Sequence, residues 1–336
     1  MNNYFTWKTV LITGWTWFLW LALTKEILKQ NPHSIRIYSR DEVKHFKMNQ
    51  NFWNNETIRY LIWDVRDFER LEKAMVWVDY VIHAAALKRL DILEYNTEES
   101  VKTNILGTLN LVNAANKAWV KKVVFISTDK SCSPINTYGW CKFVSERIIT
   151  ESNYSNWSNW TTFLSVRYWN VINSTWSILP ILQNKIKNKE DFLLTSEEMT
   201  RFIITEENAI KLIFDAFECW IWWEVIVPRL DSCKITDLME AVKKVNNYNC
   251  EIKKIWLRPG EKIHEFMIND AEWVNVIEYK NIYIIWSLIQ NYKNINNKPD
   301  YIINWKEITM WDYSSAWSLI WVDELIKKYR EYLLII

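Results

Sequence analysis

Tyr138 and Lys142 form a Tyr-x-x-x-Lys pair within the segment ISTDKSCSPINTYGWCK, residues 126–142. On a helix, two residues spaced in this way lie one turn apart on the same face. An ammonium group beside a phenol lowers the phenol's pKa and prepares it to take a proton from an alcohol. Such a pair is common on its own, so its meaning depends on the residues that precede it.

Four polar residues, Ser127, Thr128, Asp129 and Lys130, follow directly after an apolar strand pattern. A carboxyl group can act as an acid, and a lysine can act as a base if desolvation beside other cations lowers its pKa. The position therefore offers an acid and a base next to the Tyr138 phenol. Simpler interpretations are that Asp129 caps the following turn and that Lys130 is a cation facing an anionic ligand.

The segment VLITGWTWFLW, residues 10–20, has the outline of a phosphate-binding turn between a strand and a helix. Glycines in such a turn let the backbone approach a pyrophosphate at the helix N-terminus. Here Trp15, Trp17 and Trp20 stand where the turn needs glycine. An indole at these positions would fill the volume of the phosphate or prevent the helix from packing on the strand.

The composition indicates that tryptophan replaces glycine throughout the chain. It contains 23 Trp and 4 Gly in 336 residues, whereas ordinary usage predicts about 24 glycines. Other tryptophans that stand at turns or strand edges are Trp63, Trp77, Trp169, Trp176, Trp222, Trp223 and Trp256. We hypothesise that UGA encodes glycine in this gene and that the printed sequence reads it as tryptophan. The alternative is a truly tryptophan-rich protein, which UGG codons throughout would establish.

The functional inferences apply to the glycine-bearing chain, defined as the chain with glycine at the recoded tryptophan positions. The chain as printed should bind a dinucleotide poorly or not at all.

The apolar pattern predicts an α/β fold. Predicted strands at 8–13, 34–38, 57–62, 79–84, 122–127 and 162–168 alternate with helical spacing near 18–30, 42–50, 67–76, 94–118 and 137–151. Nearly continuous β-branched strands with short connections are typical of a doubly wound parallel sheet of the Rossmann type. We expect residues 1–170 to form a nucleotide-binding domain. Residues 171–336 should form a smaller mixed lobe, with some of the chain crossing back.

Charge and cysteine content exclude several classes of protein. Lys plus Arg (41) nearly equals Asp plus Glu (40), so no net field attracts nucleic acid or an anionic membrane. The five cysteines form no CxxC pair, as expected for reduced thiols in the cytoplasm. No signal peptide or membrane span is evident. His83 and His264 lack the spacing of metal ligands, so no metal is expected.

The end of the second strand indicates which dinucleotide is bound. The strand SIRIYS ends at Ser39 and Arg40, which can both donate to a ribose 2′-phosphate and favour NADP over NAD. Alternatively, Arg40 is a surface residue and Asp41 binds the ribose hydroxyls. Asp64 and Val65 are placed to contact adenine, and the segment HAAALK (83–88) to flank the nicotinamide ribose.

Taken together, these motifs resemble the extended short-chain dehydrogenase/reductase family. The resemblance is greatest to the inverting UDP-N-acetylglucosamine 4,6-dehydratases (5-epimerising) of bacterial pseudaminic-acid and related surface-sugar pathways. The matching segments are IYSRDE, DVRDFERL, VDYVIHAAALKR, EYN, VKTNILGTLN, VKKVVFISTDK, PINTYG, EMTRFIIT, KITDL and RPGEKIHE, between residues 8 and about 270. Lys130 stands where many C5-retaining dehydratases carry Glu, which favours the inverting group. Departures are the tryptophans, LKRLDILEYN in place of the usual LKQVPAAEYN, and a divergent C-terminal tail.

The resemblance implies a mechanism. Tyr138, assisted by Lys142, takes the proton of the sugar 4-OH as hydride passes from C4 to the nicotinamide. Lys130 removes the C5 proton, and Asp129 protonates the departing 6-hydroxyl. Hydride returns to C6, and reprotonation on the opposite face inverts C5. Thr128 hydrogen-bonds the sugar near O4.

The resemblance also implies the binding residues. Expected NADP contacts are Thr13, Gly14, Trp15, Thr16, Trp17, Phe18, Leu19, Ser39, Arg40, Asp64, Val65, Ala84, Ala85, Ala86, Lys88, Ser127, Tyr138, Lys142 and Val171. Expected substrate contacts are Lys88, Asn104, Thr128, Asn170, Arg201, Arg258 and Glu261, with Asn104 also bracing the site through its amide. Each arginine can instead be a surface ion-pair partner. The expected ligand is UDP-N-acetylglucosamine or a related UDP-sugar, bound by a homo-oligomer.

Three alternatives stay open. The nearest is a UDP-sugar 4-epimerase or a C5-retaining dehydratase of the same fold, neither of which needs Lys130. A second is a non-catalytic NADP-binding regulator, against which the presence of Asp129, Lys130, Tyr138 and Lys142 together argues. A structural interaction protein has only the C-terminal tail in its favour.

Overall fold

The computed structural model describes residues 3–14, 17–155, 160–168, 171–172, 178–218, 225–257, 260–273, 275–286 and 312–334. In chain order its strands are β1 (Thr9–Thr13), β2 (Ser34–Ser39), β3 (Ile58–Ile62), β4 (Tyr80–His83), β5 (Lys122–Ile126), β6 (Thr162–Val166), β7 (Phe192–Leu194), β8 (Thr200–Ile203), β9 (Val225–Pro228), β10 (Asp231–Lys234), β11 (Ile252–Lys254), β12 (Phe266–Ile268), β13 (Val276–Tyr279), β14 (Ile282–Ile285) and β15 (Tyr313–Ser314). The helices are α1 (Trp17–Leu28), α2 (Glu42–Asn51), α3 (Phe68–Met75), α4 (Leu90–Leu93), α5 (Thr97–Ser100), α6 (Gly107–Lys117), α7 (Thr137–Ser155), α8 (Ile178–Lys187), α9 (Glu206–Glu218), α10 (Ile235–Val245), α11 (Asp270–Trp273) and α12 (Val322–Leu333). A π-helical turn, Val101–Leu106, joins α5 to α6, and a 3-10 turn, Asp129–Ser131, follows β5.

A nine-stranded sheet forms the centre of the molecule, in the order β13-β14-β9-β6-β5-β4-β1-β2-β3. The seven neighbouring strands β9, β6, β5, β4, β1, β2 and β3 are parallel to one another. At the β9 edge, β14 and then β13 continue the sheet in antiparallel pairing. The order reverses between β1 and β4, and a ligand crevice forms at such a switch point, outside the carboxyl ends of the strands. The predicted α/β, doubly wound parallel sheet is confirmed.

Helices cover both faces of this sheet because its strands are apolar on both sides. Along the fully buried β1, Val10 and Ile12 pack in one apolar cluster with α1 and α9. The residue between them, Leu11, packs in a second cluster with α3 and α6. Each buried aliphatic side chain of this kind stabilises the fold by about 1.5–3 kcal/mol.

The second half of the chain contributes to two layers. Its β9, β13 and β14 join the main sheet, so that segment crosses back to the first half. Three two-stranded sheets, β10-β8, β11-β7 and β12-β15, lie outside it. Leu179, Met239 and Leu325 from α8, α10 and α12 meet in a separate apolar core. None of the described helices is long and apolar enough to cross a membrane.

Several tryptophans occupy backbone positions typical of glycine. Trp7, Trp53, Trp77 and Trp119 have φ values of 58°, 52°, 60° and 57°, and their exposures are 78%, 91%, 87% and 61%. A bulky residue rarely adopts this left-handed conformation, and an exposed indole gains little from burial to offset the strain. These four sites therefore favour glycine, in agreement with the recoding hypothesis. In contrast, Trp273 is buried in the core.

Candidate active site

A crevice lies at the carboxyl ends of β1 to β4. Its lining residues are Gly14, Tyr38, Ser39, Arg40, Asp41, Lys44, Trp63, Asp64, Val65, Ala85, Ala86 and Thr103. Most of these residues are predicted from the sequence to contact the dinucleotide. The sequence analysis does not predict that Tyr38, Lys44, Trp63 and Thr103 line the crevice. Tyr38 and Thr103 carry no motif of their own, and only the strand and helix that hold them bring them to the crevice.

Gly14 occupies the tightest point of the crevice. Its φ is +79°, and a Cβ added there would lie 2.3 Å from the Cα and N atoms of Ala85. Its N–H donates to the carbonyl of Tyr38 at 2.9 Å. Only glycine allows β1, β2 and the segment after β4 to approach so closely.

The other predicted residues of this turn are placed as follows. Thr13 is buried, with Oγ1 2.6 Å from Nδ1 of His83. Leu19 packs in the core of the first apolar cluster. Trp15 and Thr16, and the side chains of Trp17 and Phe18, lie outside the described residues.

Two cations stand at the end of β2. Arg40 lies 3.3 Å from Asp64, and Lys44 lies 3.0 Å from Asp41. Asp41 caps α2, since its carboxylate accepts from the Lys44 N–H at 3.0 Å. The Asp41 carboxylate is therefore engaged within its own helix. The Arg40 and Lys44 side chains remain about half exposed at the crevice.

The turn after β5 gathers the predicted acid and base. Thr128 Oγ1 donates to Oδ1 of Asp129 at 2.7 Å, and Lys130 Nζ lies 3.4 Å from Oδ2. Asp129 is fully buried, whereas the Lys130 side chain keeps 18% of its exposure. The Tyr138 hydroxyl is within hydrogen-bonding reach of Thr128. The structure therefore brings these four predicted residues together, with the buried Ser127 beside them.

Tyr138 and Lys142 lie on one face of α7, but their electrostatics differ from the expectation. Burial, with Asp129 and Tyr168 nearby, raises the pKa of Tyr138 instead of lowering it. Lys142 Nζ donates to the carbonyl of Ile126 at 2.7 Å. Burial lowers the pKa of Lys142 to about 7. The expected lowering of the phenol pKa is thus wrong for this arrangement, because a partly neutral amine bound elsewhere cannot outweigh desolvation.

Asn104 lies in the π-helical turn, where the sequence had predicted an uninterrupted helix. Its Oδ1 accepts from the Leu87 N–H at 2.8 Å, and its Nδ2 donates to the Leu87 carbonyl at 3.0 Å and to Ser100. Ser145 on α7 donates to the Asn104 carbonyl at 2.8 Å. Asn104 therefore joins the segment after β4, through its amide, to α7, through its backbone carbonyl, and π-helical turns are frequent at functional sites.

Three lysines, Lys44, Lys88 and Lys130, lie between the crevice and the turn after β5. Although Lys88 is exposed as a whole residue, desolvation of its amino group, together with Lys44 and Lys130, lowers its pKa. Ala84 precedes this segment and bonds to the Thr13 carbonyl through its N–H. Three cations along one path suit a ligand that carries several negative charges.

Arg201 and Glu261 lie together in the second half of the chain. The Arg201 guanidinium donates to the carbonyls of Lys262 and Ile263 and lies 3.8 Å from Glu261. It thereby holds the segment after residue 260 against β8. Val171 is buried and forms a bridge with Ile204. Asn170 and Arg258 lie outside the described residues.

A buried ionic network supports the turn after β5, and the sequence analysis does not predict it. Arg167, fully buried, binds Glu146 at 2.7 Å and Glu272 at 3.0 Å. Ser131 donates to Glu146 and to the Thr128 carbonyl, at 3.0 and 2.6 Å. The spacing of Tyr138, Lys142 and Glu146 places the three side chains on one face of α7, but it does not indicate that Arg167 is the partner of Glu146.

The two histidines considered as metal ligands, His83 and His264, are engaged within the protein. His83 is fully buried, with Nε2 3.2 Å from Thr108, and burial lowers its pKa to about 3. His264 Nδ1 lies 2.8 Å from Thr200. Within the described residues no group of three or more His, Cys, Asp or Glu side chains is placed to hold a metal ion.

Comparison with known proteins places this site in a family. Residues 10–287 match the family described as "Polysaccharide biosynthesis protein". The UDP-N-acetylglucosamine 4,6-dehydratase (inverting) of Campylobacter jejuni strain 81-176 is 39% identical over 302 residues, 89% of this chain and 88% of that protein. The UDP-glucose 4-epimerase of Rickettsia bellii RML369-C is 35% identical over 282 residues, 83% of this chain and 82% of that protein.

A solved structure extends the likeness to the whole fold. The X-ray structure of Pen from Bacillus thuringiensis is 34% identical, has a TM-score of 0.88, and covers 98% of this chain and 99% of its own. The residues that match the family, 10–287, contain the crevice and the turn after β5. The chain therefore belongs to the polysaccharide biosynthesis family of extended short-chain dehydrogenases/reductases.

Proposed function

We propose that the glycine-bearing chain is an NADP-dependent UDP-N-acetylglucosamine 4,6-dehydratase that inverts C5. The observation that carries this proposal is the adjacent Asp129 and Lys130, 3.4 Å apart and close to Tyr138. An acid, an amine and a phenol in one enclosed site can serve, respectively, loss of water, removal of a carbon-bound proton and oxidation of an alcohol. The similarity to the inverting dehydratase of C. jejuni supports the same activity.

The residues of the crevice fit a dinucleotide. Gly14 leaves a cradle that a Cβ would fill, at the switch point of the sheet. Asp64 and Val65 line the adenine end, Arg40 and Lys44 suit a 2′-phosphate, and Ala85 and Ala86 lead toward the catalytic turn. When bound, the nicotinamide accepts a hydride from C4 and later returns it to C6, so NADP is not consumed.

The side chains of this chain then perform the proton transfers. Tyr138 takes the 4-hydroxyl proton in its phenolate form, which a bound cationic nicotinamide would favour against the desolvation that raises the pKa of the phenol. Thr128, within reach of that phenol, orients the sugar oxygen. Oxidation at C4 makes the C5 hydrogen acidic, and Lys130 removes it. Asp129 gives its proton to the departing 6-hydroxyl, which leaves as water. A proton from solvent then adds to C5 on the opposite face, which gives the inverted 6-deoxy-4-keto sugar. Lys130 releases the C5 proton to solvent, and the proton taken by Tyr138 replaces the one given by Asp129.

The proposal also includes the residues that bind the UDP-sugar and the biological role of the product. Lys88, Arg201, Arg258 and Asn170 supply cations and an amide for the UDP-sugar, with Glu261 at the uridine end. The product would enter bacterial surface-glycan or flagellin glycosylation, and the enzyme would act in the cytoplasm as a homo-oligomer.

The reaction in deuterated water tests the activity. We expect the glycine-bearing chain with NADP to convert UDP-N-acetylglucosamine into a 6-deoxy-4-keto sugar, with deuterium at C5 and inverted configuration there. Nuclear magnetic resonance of the product reads both features. A product changed only at C4 would instead identify a 4-epimerase, and a C5-retained product would identify a retaining dehydratase.

Replacement of Arg40 tests the cofactor assignment. Arg40→Ala should weaken NADP binding about 10- to 100-fold, because a charge-assisted hydrogen bond contributes about 1.5–3 kcal/mol. Binding of NAD should change little, since NAD lacks the 2′-phosphate. Calorimetric titration of both dinucleotides measures the ratio. Arg330→Ala on α12 removes an exposed arginine far along the chain and should leave the ratio as it is. Equal losses for both dinucleotides would contradict the NADP preference.

A further inference from the structure

We infer that Glu265 shares a proton with Asp129 and, as a positioning residue, keeps Asp129 in its acid form. This inference rests on the proposed function, in which Asp129 protonates the leaving hydroxyl. A carboxyl group can donate that proton only if it is neutral when the substrate is bound. The structure supplies a second carboxyl group where it can enforce that state.

Glu265 is buried directly before β12, which packs on the turn that holds Asp129. It is 4% exposed and Asp129 is 0% exposed. Their side chains lie within hydrogen-bonding distance of each other. The Glu265 Oε2 atom is buried, and no described residue donates a conventional hydrogen bond to it. A proton held between the two carboxyl groups would give the pair the hydrogen bond that two carboxylates cannot form with each other.

The other contacts of Glu265 leave that atom available. Its N–H donates to Ser315 Oγ at 2.9 Å, and its Oε1 lies 3.7 Å from Nε of Arg201. The Arg201 guanidinium donates hydrogen bonds to backbone carbonyls, including that of Lys262 at 3.0 Å. Glu265 therefore contacts both the Arg201 guanidinium and the Asp129 carboxyl group.

The surrounding charges decide which group holds the proton. Two carboxylates in contact cannot both be ionised in a desolvated site. Lys130, Arg201 and Lys262 surround Glu265, and together with Asp129 they lower its pKa against the effect of burial. Burial is the main cause that raises the pKa of Asp129 to about 8, and the negative charge of Glu265 adds to it, despite the opposing charge of Lys130. Asp129 is therefore the protonated partner at neutral pH.

The substitution Glu265→Gln tests the shared proton through the pH dependence of turnover. An acid works while it is protonated, so activity is present below its pKa and falls as the pH rises through about 8. Glutamine keeps the size of Glu265 but donates to an ionised Asp129. We expect the alkaline limb to move to lower pH and dehydration near neutral pH to fall about 10²-fold. Exchange of the C5 hydrogen, which depends on Lys130, should persist.

A spectroscopic measurement separates this inference from the proposed function. The substrate-free protein should show the infrared C=O stretch of a buried carboxylic acid at pH 7, and both Asp129→Asn and Glu265→Gln should lose it. Glu278→Gln on β13, whose carboxylate pairs with Arg229, should keep it. If the band is present and no sugar is converted, the proposed function fails and the shared proton stands.

Two results would overturn the shared proton. One is an unchanged band in Asp129→Asn, which is decisive even if the Glu265→Gln protein does not fold. The other is an unshifted pH profile in a folded Glu265→Gln protein.

Discussion

A chain with glycine at positions 15, 17 and 20 should bind NADP at least about a thousandfold more tightly than the chain with tryptophan there. The turn follows Gly14, whose backbone already lies too close to Ala85 to admit a Cβ. Indoles at positions 15 and 17 would exclude the pyrophosphate from the backbone N–H groups at the start of α1. Trp20 is instead buried in the apolar core, so the expectation that its indole prevents the helix from packing on the strand is wrong. Loss of two or more charge-assisted hydrogen bonds costs about 4 kcal/mol, which corresponds to a factor of about 10³ in affinity.

Matched substitutions elsewhere separate this effect from a general change in stability. Trp7→Gly and Trp119→Gly alter exposed, left-handed positions that precede β1 and β5, at the opposite ends of those strands from the crevice. They should raise the thermal unfolding temperature through relief of backbone strain and leave NADP affinity unchanged. Calorimetric titration with NADP measures the affinity of the chain with tryptophan, of the chain with glycine at positions 15, 17 and 20, and of each control variant. Equal affinity in the printed and glycine-bearing chains would contradict the recoding hypothesis, as would tryptophan in peptides of the native protein.

The parts of the structure that follow local rules were predictable from the sequence. Continuous apolar strands such as TVLIT in β1 indicate a sheet covered on both faces, and the structure has that sheet. The Tyr138–Lys142 spacing fixes both side chains on one face of α7 because helical geometry leaves no other arrangement. The strand end at Ser127 likewise fixes where Thr128 and Asp129 must lie.

The parts that depend on tertiary contact were not predictable. Glu265 meets Asp129 although 136 positions separate them in the chain, and nothing in the motif RPGEKIHE shows which partner it finds. The same holds for Arg167 and Glu272, which pair only when α11 packs near the carboxyl end of β6. The raised pKa of Tyr138 also escaped prediction, because desolvation depends on the complete packing of the site and not on the neighbour at one helical turn.

Lys130→Ala should abolish C5 chemistry and leave oxidation at C4. We expect exchange of the C5 hydrogen with deuterated water to fall about 10²- to 10⁴-fold, the usual contribution of a general base. Reduced nicotinamide should then accumulate after addition of UDP-N-acetylglucosamine, because Tyr138 and Lys142 are intact and the hydride has no acceptor at C6. The amine lies 3.4 Å from Asp129, so its removal also leaves the acid without its adjacent cation.

Two further variants show whether Lys130 acts as a base or only as a charge. Lys130→Arg keeps the cation but cannot lose its proton, so C5 exchange should stay absent. Tyr138→Phe removes the hydroxyl that accepts the first proton, and it should suppress both nicotinamide reduction and C5 exchange. Absorbance of the reduced cofactor and nuclear magnetic resonance of the sugar follow the two steps separately. Wild-type C5 exchange in Lys130→Arg would contradict the base role, because a permanently protonated side chain would then suffice for the reaction.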